Sequence, residues 1–280
     1  MKEPVSRPGI ASLIDRFDVF FLDQFGVLHD GAAPYPGALQ CLRTIKGEGR
    51  KIVILSNSGK RAAENEKRMV QLGFAPDMWD LFLSSGEAAW RMFADGAEFR
   101  PGIKCFLISR DNDRSAISGL GMAVVNDAAQ ADVILLTASE GDRLDLNHYR
   151  RLLAPAANSD VPCFCTNPDK VMLTGAGPKF GAGRIGELYE ELGGKVTWIG
   201  KPFPAIYEAA LIAIGNPPAS RVLCVGDSPE HDIAGAKSAG LTSALVRTGI
   251  HAGLSDNALR KLYDQQDAVP DFILPGLVWQ

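Results

Sequence analysis

No apolar run in this 280-residue chain approaches the ~20 residues that a membrane-spanning helix needs, so an integral membrane protein is not expected. Basic runs are missing too. The 29 Lys and Arg residues are outweighed by 33 Asp and Glu, leaving a net charge of −4. A protein that grips nucleic acid by its phosphates needs a basic footprint, so nucleic acid is not an expected partner. The five cysteines are odd in number and scattered, with neither metal-finger spacing nor a disulfide framework. Only Cys163 and Cys165 lie close together. They alternate in an apolar, strand-like run, share a face, and are expected to be buried free thiols. The opening segment, MKEPVSRPGIASLIDRF, is too polar for a secretory signal, and a cytoplasmic protein is the expectation. Internal repeats and low-complexity segments are absent. What is present, 46% hydrophobic and 22% charged residues, is ordinary for a soluble globular chain, and the length suits about two domains.

The most informative stretch is VFFLDQFGVLHDG, residues 19–31. Four apolar residues run straight into a carboxylate, Asp23, and a turn follows. Such a run reads as a strand buried on both faces, with the carboxylate at its carboxyl end. Residues 37–48 have helical spacing, KIVIL reads as a second buried strand ending at Ser56-Asn57-Ser58, and residues 60–72 form a charged amphipathic helix closed by Gly73. A third strand is expected at residues 81–84. This alternation is the signature of a parallel sheet. From residue 85 the pattern changes: KCFLIS, MAVVN, DVILLT and PCFCT read as four further strands, with a helix at residues 146–157 among them. The first pattern then resumes with VTWIG, a helix opened by Pro204, RVLCVG, a helix start at Ser228-Pro229-Glu230, ALVRT and DFIL. The expected architecture is α/β: a Rossmann-like parallel core from residues 1–84 and 195–280, with an α/β cap inserted at 85–194.

Four strands thus end in polar groups: VFFL in Asp23, KIVIL in Ser56, VTWIG in Lys201 and RVLCVG in Asp227. In a parallel sheet these groups share one edge. Two carboxylates, a hydroxyl and an ammonium suit phosphoryl transfer, supplying a nucleophile, a metal site and donors to phosphate oxygens. The glycine-rich stretch GAGPKFGAG, residues 175–183, fails the dinucleotide pattern because Phe180 occupies the third glycine's place, and it reads as a hinge or loop. Ser58-Gly59-Lys60 fails the phosphate-loop pattern at Ile54 and Arg61.

The order D-x-x-G-V, S-N, G-K-P and G-D-x-x-x-x-D-I resembles the four motifs of the haloacid dehalogenase superfamily, most of whose members are Mg²⁺-dependent phosphatases. Asn167-Pro168-Asp169 and Gly200-Lys201-Pro202 are similar to class IIA, the group of NagD-like and p-nitrophenyl-phosphatase-like enzymes with a large inserted α/β cap. The resemblance implies that Asp23 attacks phosphorus and forms an aspartyl phosphate. It implies that Asp23, Asp227 and the backbone carbonyl of Phe25 hold Mg²⁺, with Asp232 orienting the metal's waters. Ser56 and the backbone at Asn57 would hold phosphate oxygens, and Lys201 would neutralise the anionic pair of Asp23 and phosphate. Asn167 and Asp169 are candidates for facing substrate, or else form an Asx-Pro turn. The implied substrate is a small phosphorylated metabolite, a sugar phosphate, nucleotide or aryl phosphate, and class IIA relatives often pair through the cap, so a homodimer is the implied assembly.

One departure stands out. The family's phosphatases usually place a second aspartate two residues after the nucleophile, to protonate the leaving oxygen and activate water; this chain has Phe25. General acid–base help contributes typically ~10²–10⁴-fold. Slow turnover, good leaving groups only, or an acid from elsewhere would follow. His29, Asp30 and His231 are the candidates for that acid, His29 foremost. The alternatives to a phosphatase are a phosphate- and metal-binding protein without turnover and, third, a hydrolytic dehalogenase.

Overall fold

The computed structural model describes residues 3–97, 99–174 and 177–280. The chain divides into two compact units. The first comprises the chain up to Ser56, then Glu66–Leu83 and Lys201–Gln280; the second comprises Asn57–Asn65 and Ser84–Gly200.

In the first unit, the strand Val19–Leu22 buries all four of its side chains. Apolar groups at both faces require cover on both sides, and the strand takes an interior place in a seven-stranded sheet. The order is Val5–Ser6, Phe272–Leu274, Thr242–Val246, Val222–Gly226, Val19–Leu22, Lys51–Ser56, Leu81–Ser84. The pairings from Val5–Ser6 across to Lys51–Ser56 are all parallel. From Val19–Leu22 the chain moves to one side of the sheet, and it later returns on the other side at Val222–Gly226. The strand order therefore reverses beside Val19–Leu22, the kind of switch point at which open α/β sheets bind ligands. Leu22 lies opposite both Val225 and Ile54. Asp23, Asp227 and Ser56 thus leave three adjacent strands at nearly one level.

The helices follow the expected spacing. Ala38–Gly47 buries Ala38, Cys41, Leu42 and Ile45, and Pro204–Ala213 opens with proline in its first turn. The helix Ala62–Gln71 is followed by Gly73 at φ 94°, a left-handed stop that favours glycine. Phe17 packs edge to face on Phe20 and on Phe272, each at 6.5 Å.

The second unit has its own five-stranded parallel sheet, in the order Val196–Trp198, Cys163–Cys165, Val133–Leu136, Lys104–Ile108, Ala123–Val124. The helix Leu146–Ala157, capped by Asp145, and the helix Ala182–Glu191 cover it through Tyr149, Leu153, Ile185, Leu188 and Tyr189. Cys163 and Cys165 are buried free thiols on this core, and burial pushes the Cys165 thiol up to about 12.

Two expectations are corrected. VTWIG does not belong to the first sheet: Val196–Trp198 pairs with Cys163–Cys165 and forms the edge of the second. Val196 and Trp198 pack on the second unit's core. The Trp198 ring occupies the notch left by Gly186, where a Cβ would lie 2.4 Å from it. An apolar run shows that a strand exists but not which sheet it joins, and the first unit resumes only at Lys201. The stretch 175–183 is likewise not a loop throughout. Gly177–Phe180 forms a strand antiparallel to Val171–Thr174, and Gly181 leads into the helix Ala182–Glu191; residues 175 and 176 lie outside the described residues. No helix among the described residues is long and apolar enough to cross a membrane.

Because Phe20 is fully buried at the switch-point strand, Phe20→Ala should destabilise the chain by about 3–5 kcal/mol. Thermal unfolding followed by circular dichroism checks this; an unchanged midpoint would contradict the central place given to this strand.

Candidate active site

The site is built where Val19–Leu22 ends. The Asp23 N–H still donates to the Val225 carbonyl at 3.0 Å, so the backbone remains in the sheet while the side chain projects from its edge. A tight turn follows, in which the Leu28 and His29 N–H groups donate to the Gln24 carbonyl at 2.9 and 3.2 Å. Gly26 lies inside this turn at φ 81°, and a Cβ there would stand 2.1 Å from Asp227 Oδ2. Gly249, from the loop after Thr242–Val246, closes the other side: its Cβ would stand 1.9 Å from the same oxygen. Two glycines therefore make room for the Asp227 carboxylate. The Ile250 N–H donates to its Oδ2 at 2.7 Å, and Thr248 Oγ1 ties the two loops together by donating to the Gly26 carbonyl at 2.5 Å.

Asp232 is placed by the start of the following helix. Ser228 caps it, its side chain accepting from the His231 N–H. The first turn is wide, with the Asp232 and Ile233 N–H groups both donating to the Ser228 carbonyl, at 2.9 and 3.2 Å. Asp232 Oδ2 accepts from the Ser228 N–H at 3.1 Å. Lys201, only 3% exposed, bridges the acids. Its Nζ lies 2.8 Å from Asp23 Oδ1 and 2.7 Å from Asp232 Oδ1. It arrives on the segment after Gly200 rather than at the end of a core strand, yet it joins the same cluster. One ligand oxygen each from Asp23, Asp227 and Asp232 lie within 4.8 Å of one another.

This arrangement is electrostatically unbalanced. Three carboxylates face one ammonium, and all are largely removed from water. Burial raises the Asp23 carboxyl to about 7; Lys201 pulls it down and Asp232 pushes it up. Burial, Asp232 and Asp23 together hold the Asp227 carboxyl well above the usual range. For Lys201, burial opposes the charge, but Asp23 and Asp232 outweigh it and its pKa rises. The ammonium is therefore permanently charged, and the carboxylates still lack a counter-charge. Hard oxygen donors with excess negative charge fit a hard divalent cation such as Mg²⁺.

Ser56 is buried, and its Oγ accepts from Gln24 Nε2 at 2.5 Å. Gln24 was not a candidate on the sequence. Its N–H donates to Asp23 Oδ1 at 2.8 Å, so one residue touches both the carboxylate and the hydroxyl. No spacing rule reveals a partner 32 positions away.

Several expected site residues have other tasks. His29 is enclosed in the interior of the turn. It is fully buried, its Nδ1 accepts from the Gly31 N–H at 3.0 Å, and its ring packs edge to face on Phe25 at 4.5 Å. Burial first, then the Arg68 charge, push it down to about 4, so it is a neutral aromatic of the interior. Asp30 Oδ1 accepts from the Ala32 and Ala33 N–H groups, and these bonds hold its carboxyl below the usual range. His231 Nδ1 lies 3.1 Å from Ser228 Oγ. In the second unit, the Asn57 amide donates to Asp169 Oδ1 at 2.8 Å, and Asn167 Oδ1 accepts from the Asp169 N–H at 3.2 Å. The Asn167 side chain thus makes an Asx turn, and Asp169 is paired with Asn57.

The sheet order and the acidic cluster fit the haloacid dehalogenase resemblance, and comparison with known proteins agrees. A "Haloacid dehalogenase-like hydrolase" model matches residues 20–123 and a "HAD-hydrolase-like" model matches residues 198–277. The chain belongs to this family. It is 28% identical to the sugar-phosphatase AraL of Bacillus subtilis, over 98% of this chain and 92% of that one. A haloacid dehalogenase-like hydrolase from Brucella suis superposes with a TM-score of 0.82 at 27% identity, covering 97% of this chain and all of the other. The p-nitrophenyl phosphatase of Archaeoglobus fulgidus gives 0.76 at 25% identity, covering 93% of this chain and 97% of that one.

Two outcomes follow. Asp227→Asn removes one of three mutually repelling carboxylates, so without metal its melting temperature should match or exceed that of the wild type, while stabilisation by added Mg²⁺ should be lost; a metal-free variant melting several degrees lower would contradict the repulsion. The unfolded chain protonates His29 near 6.5, the folded chain only near 4. Stability attributable to this residue is therefore complete above pH 6.5 and falls as pH drops toward 4. Subtracting the pH–stability curve of His29→Leu from that of the wild type should show this loss; a flat difference would contradict it.

Proposed function

We propose that this protein is a Mg²⁺-dependent phosphatase that hydrolyses a small phosphomonoester, a sugar or aryl phosphate, through an aspartyl phosphate on Asp23. The observation that carries the reading is the convergence of Asp23, Asp227 and Asp232 around the buried ammonium of Lys201. The names of the relatives, a sugar phosphatase and a p-nitrophenyl phosphatase, support the substrate range.

Asp23 and Asp227, with the Phe25 carbonyl, are the groups that would hold Mg²⁺, and Asp232 would orient its waters. The metal, when bound, supplies positive charge against the phosphate and the carboxylates. The chain's own residues do the rest. An Asp23 oxygen attacks phosphorus, while Lys201 keeps the carboxylate ionised and offsets its repulsion from the anionic phosphate. The Ser56 hydroxyl and the adjoining Asn57 N–H hold phosphate oxygens. Gln24 fixes Ser56 by donating to its oxygen. Water then opens the aspartyl phosphate, and the carboxylate is restored.

Phe25 favours a second reading, a phosphate- and metal-binding protein without turnover, since a phenyl ring transfers no proton. Phosphate release from sugar and aryl phosphates, with and without Mg²⁺, separates the two. Release should require Mg²⁺, stop with chelator and fall at least about 10³-fold in Asp23→Asn. Turnover that survives in Asp23→Asn would contradict the mechanism. No turnover on any ester, with Mg²⁺ and phosphate still raising the melting temperature, would establish the second reading.

A further inference from the structure

We propose that Phe25 and Arg68 form a leaving-group subsite beside Asp23, selecting phosphates whose leaving group is planar, carries a further negative charge and departs unprotonated: phenolic, enolic or acyl phosphates. The proposal rests on the phosphatase reading above and narrows its substrate.

Phe25 stands two residues from the nucleophile, and the residue is 43% exposed, whereas Phe17, Phe20, Phe21 and Phe74 of the same unit are buried. The exposed ring is held in place. It packs on His29 at 4.5 Å, and the Arg68 guanidinium stands 5.0 Å from its centroid. Arg68 Nη2 donates to the Gly31 carbonyl at 2.9 Å. Gly31 is what admits the pair: at φ 99°, a Cβ there would lie 3.2 Å from the ring and 3.4 Å from Nη2. Arg68 has no carboxylate within ion-pair distance among the described residues. A rigid aromatic surface with an uncompensated cation at its face is suited to a planar anion, which stacks on the ring and pairs with the guanidinium. The plainer reading is a surface cation–π contact that merely covers His29; on that reading, neither side chain affects substrate choice.

The chemistry of the site points the same way. The groups bonded to the Asp23 carboxylate are the Lys201 ammonium and the Gln24 N–H. Lys201 is held between two carboxylates, His29 bonds to Gly31, and Asp30 bonds to Ala32 and Ala33. None of them is placed to protonate a leaving oxygen. In the first step the bond from Asp23 oxygen to phosphorus forms as the bond from phosphorus to the leaving oxygen breaks. The electron pair stays on that oxygen, which departs as phenolate, enolate or carboxylate. Water then attacks the aspartyl phosphate, giving inorganic phosphate and the free Asp23 carboxylate, and its proton passes to solvent. An alkoxide lacks this route, and the missing acid costs it about 10²–10⁴-fold.

The test uses the full chain with Mg²⁺ and four probes: glycerol phosphate, phenyl phosphate, 4-nitrophenyl phosphate and 4-carboxyphenyl phosphate. The expected kcat/KM for glycerol phosphate lies at least about 100-fold below that for 4-nitrophenyl phosphate, and Phe25→Asp narrows this gap about tenfold or more. In a non-turning-over Asp23→Asn background, calorimetry should give a Kd for 4-carboxyphenyl phosphate about fivefold or more below that for phenyl phosphate. Arg68→Gln should bring that ratio near one, and Arg68→Lys should restore part of it. Glycerol phosphate turned over as fast as 4-nitrophenyl phosphate, or equal binding of the two aryl esters before Arg68 is changed, would overturn the subsite. Absence of turnover on all four probes would instead overturn the phosphatase reading, and the binding ratio would still decide the subsite.

Discussion

Everything at this site depends on one charge imbalance: three largely buried carboxylates held around a single ammonium. Asp23 and Asp232 share Lys201, and Asp227 lies close by with a backbone N–H as its donor. Without a further cation the cluster is strained, as the raised Asp23 and Asp227 carboxyls record. The same strain makes the site receptive. On the proposed reading a divalent cation and a phosphate would supply the charges and oxygens that the cluster lacks, and their binding would relieve the repulsion.

The fold supplies what keeps such a cluster together. Parallel strands side by side put Asp23, Asp227 and Ser56 at one edge, and the reversal of strand order opens that edge to a ligand. The buried faces of Val19–Leu22 and Val222–Gly226 anchor the two acids in core packing. Gly26 and Gly249 then let two loops close on Asp227 at distances no side chain would permit. Stability is spent in holding like charges near one another, as it is in other functional sites.

Much of this was legible in the sequence, because buried strands announce themselves by continuous apolar runs and the acids sit at their ends. VFFL, KIVIL and RVLCVG form the expected strands, and Ser228 and Pro229 open the following helix as their types require. What was not legible depends on partners distant in sequence. VTWIG has the composition of any buried strand, and only the notch at Gly186 for Trp198 shows which sheet it joins. His29 read as the foremost candidate for the missing acid, but Phe25 and Phe74 enclose it. Asp169 is claimed by Asn57, and Ser56 by Gln24, each through contacts spanning many residues. Periodicity reports a residue's face, not its partner.

Phe25 unites the chemistry and the shape of the site. On the proposed reading the ring stands where the family's phosphatases usually carry an acid, and with Arg68 it would offer an aromatic and cationic surface instead. The most direct measurement of the central claim is to quench the reaction with 4-nitrophenyl phosphate in acid and locate the phosphoryl group by peptide mass spectrometry. Phosphate on the peptide at Asp23, absent in Asp23→Asn, is the predicted result. Turnover without phosphate on Asp23, or phosphate on another residue, would contradict the account.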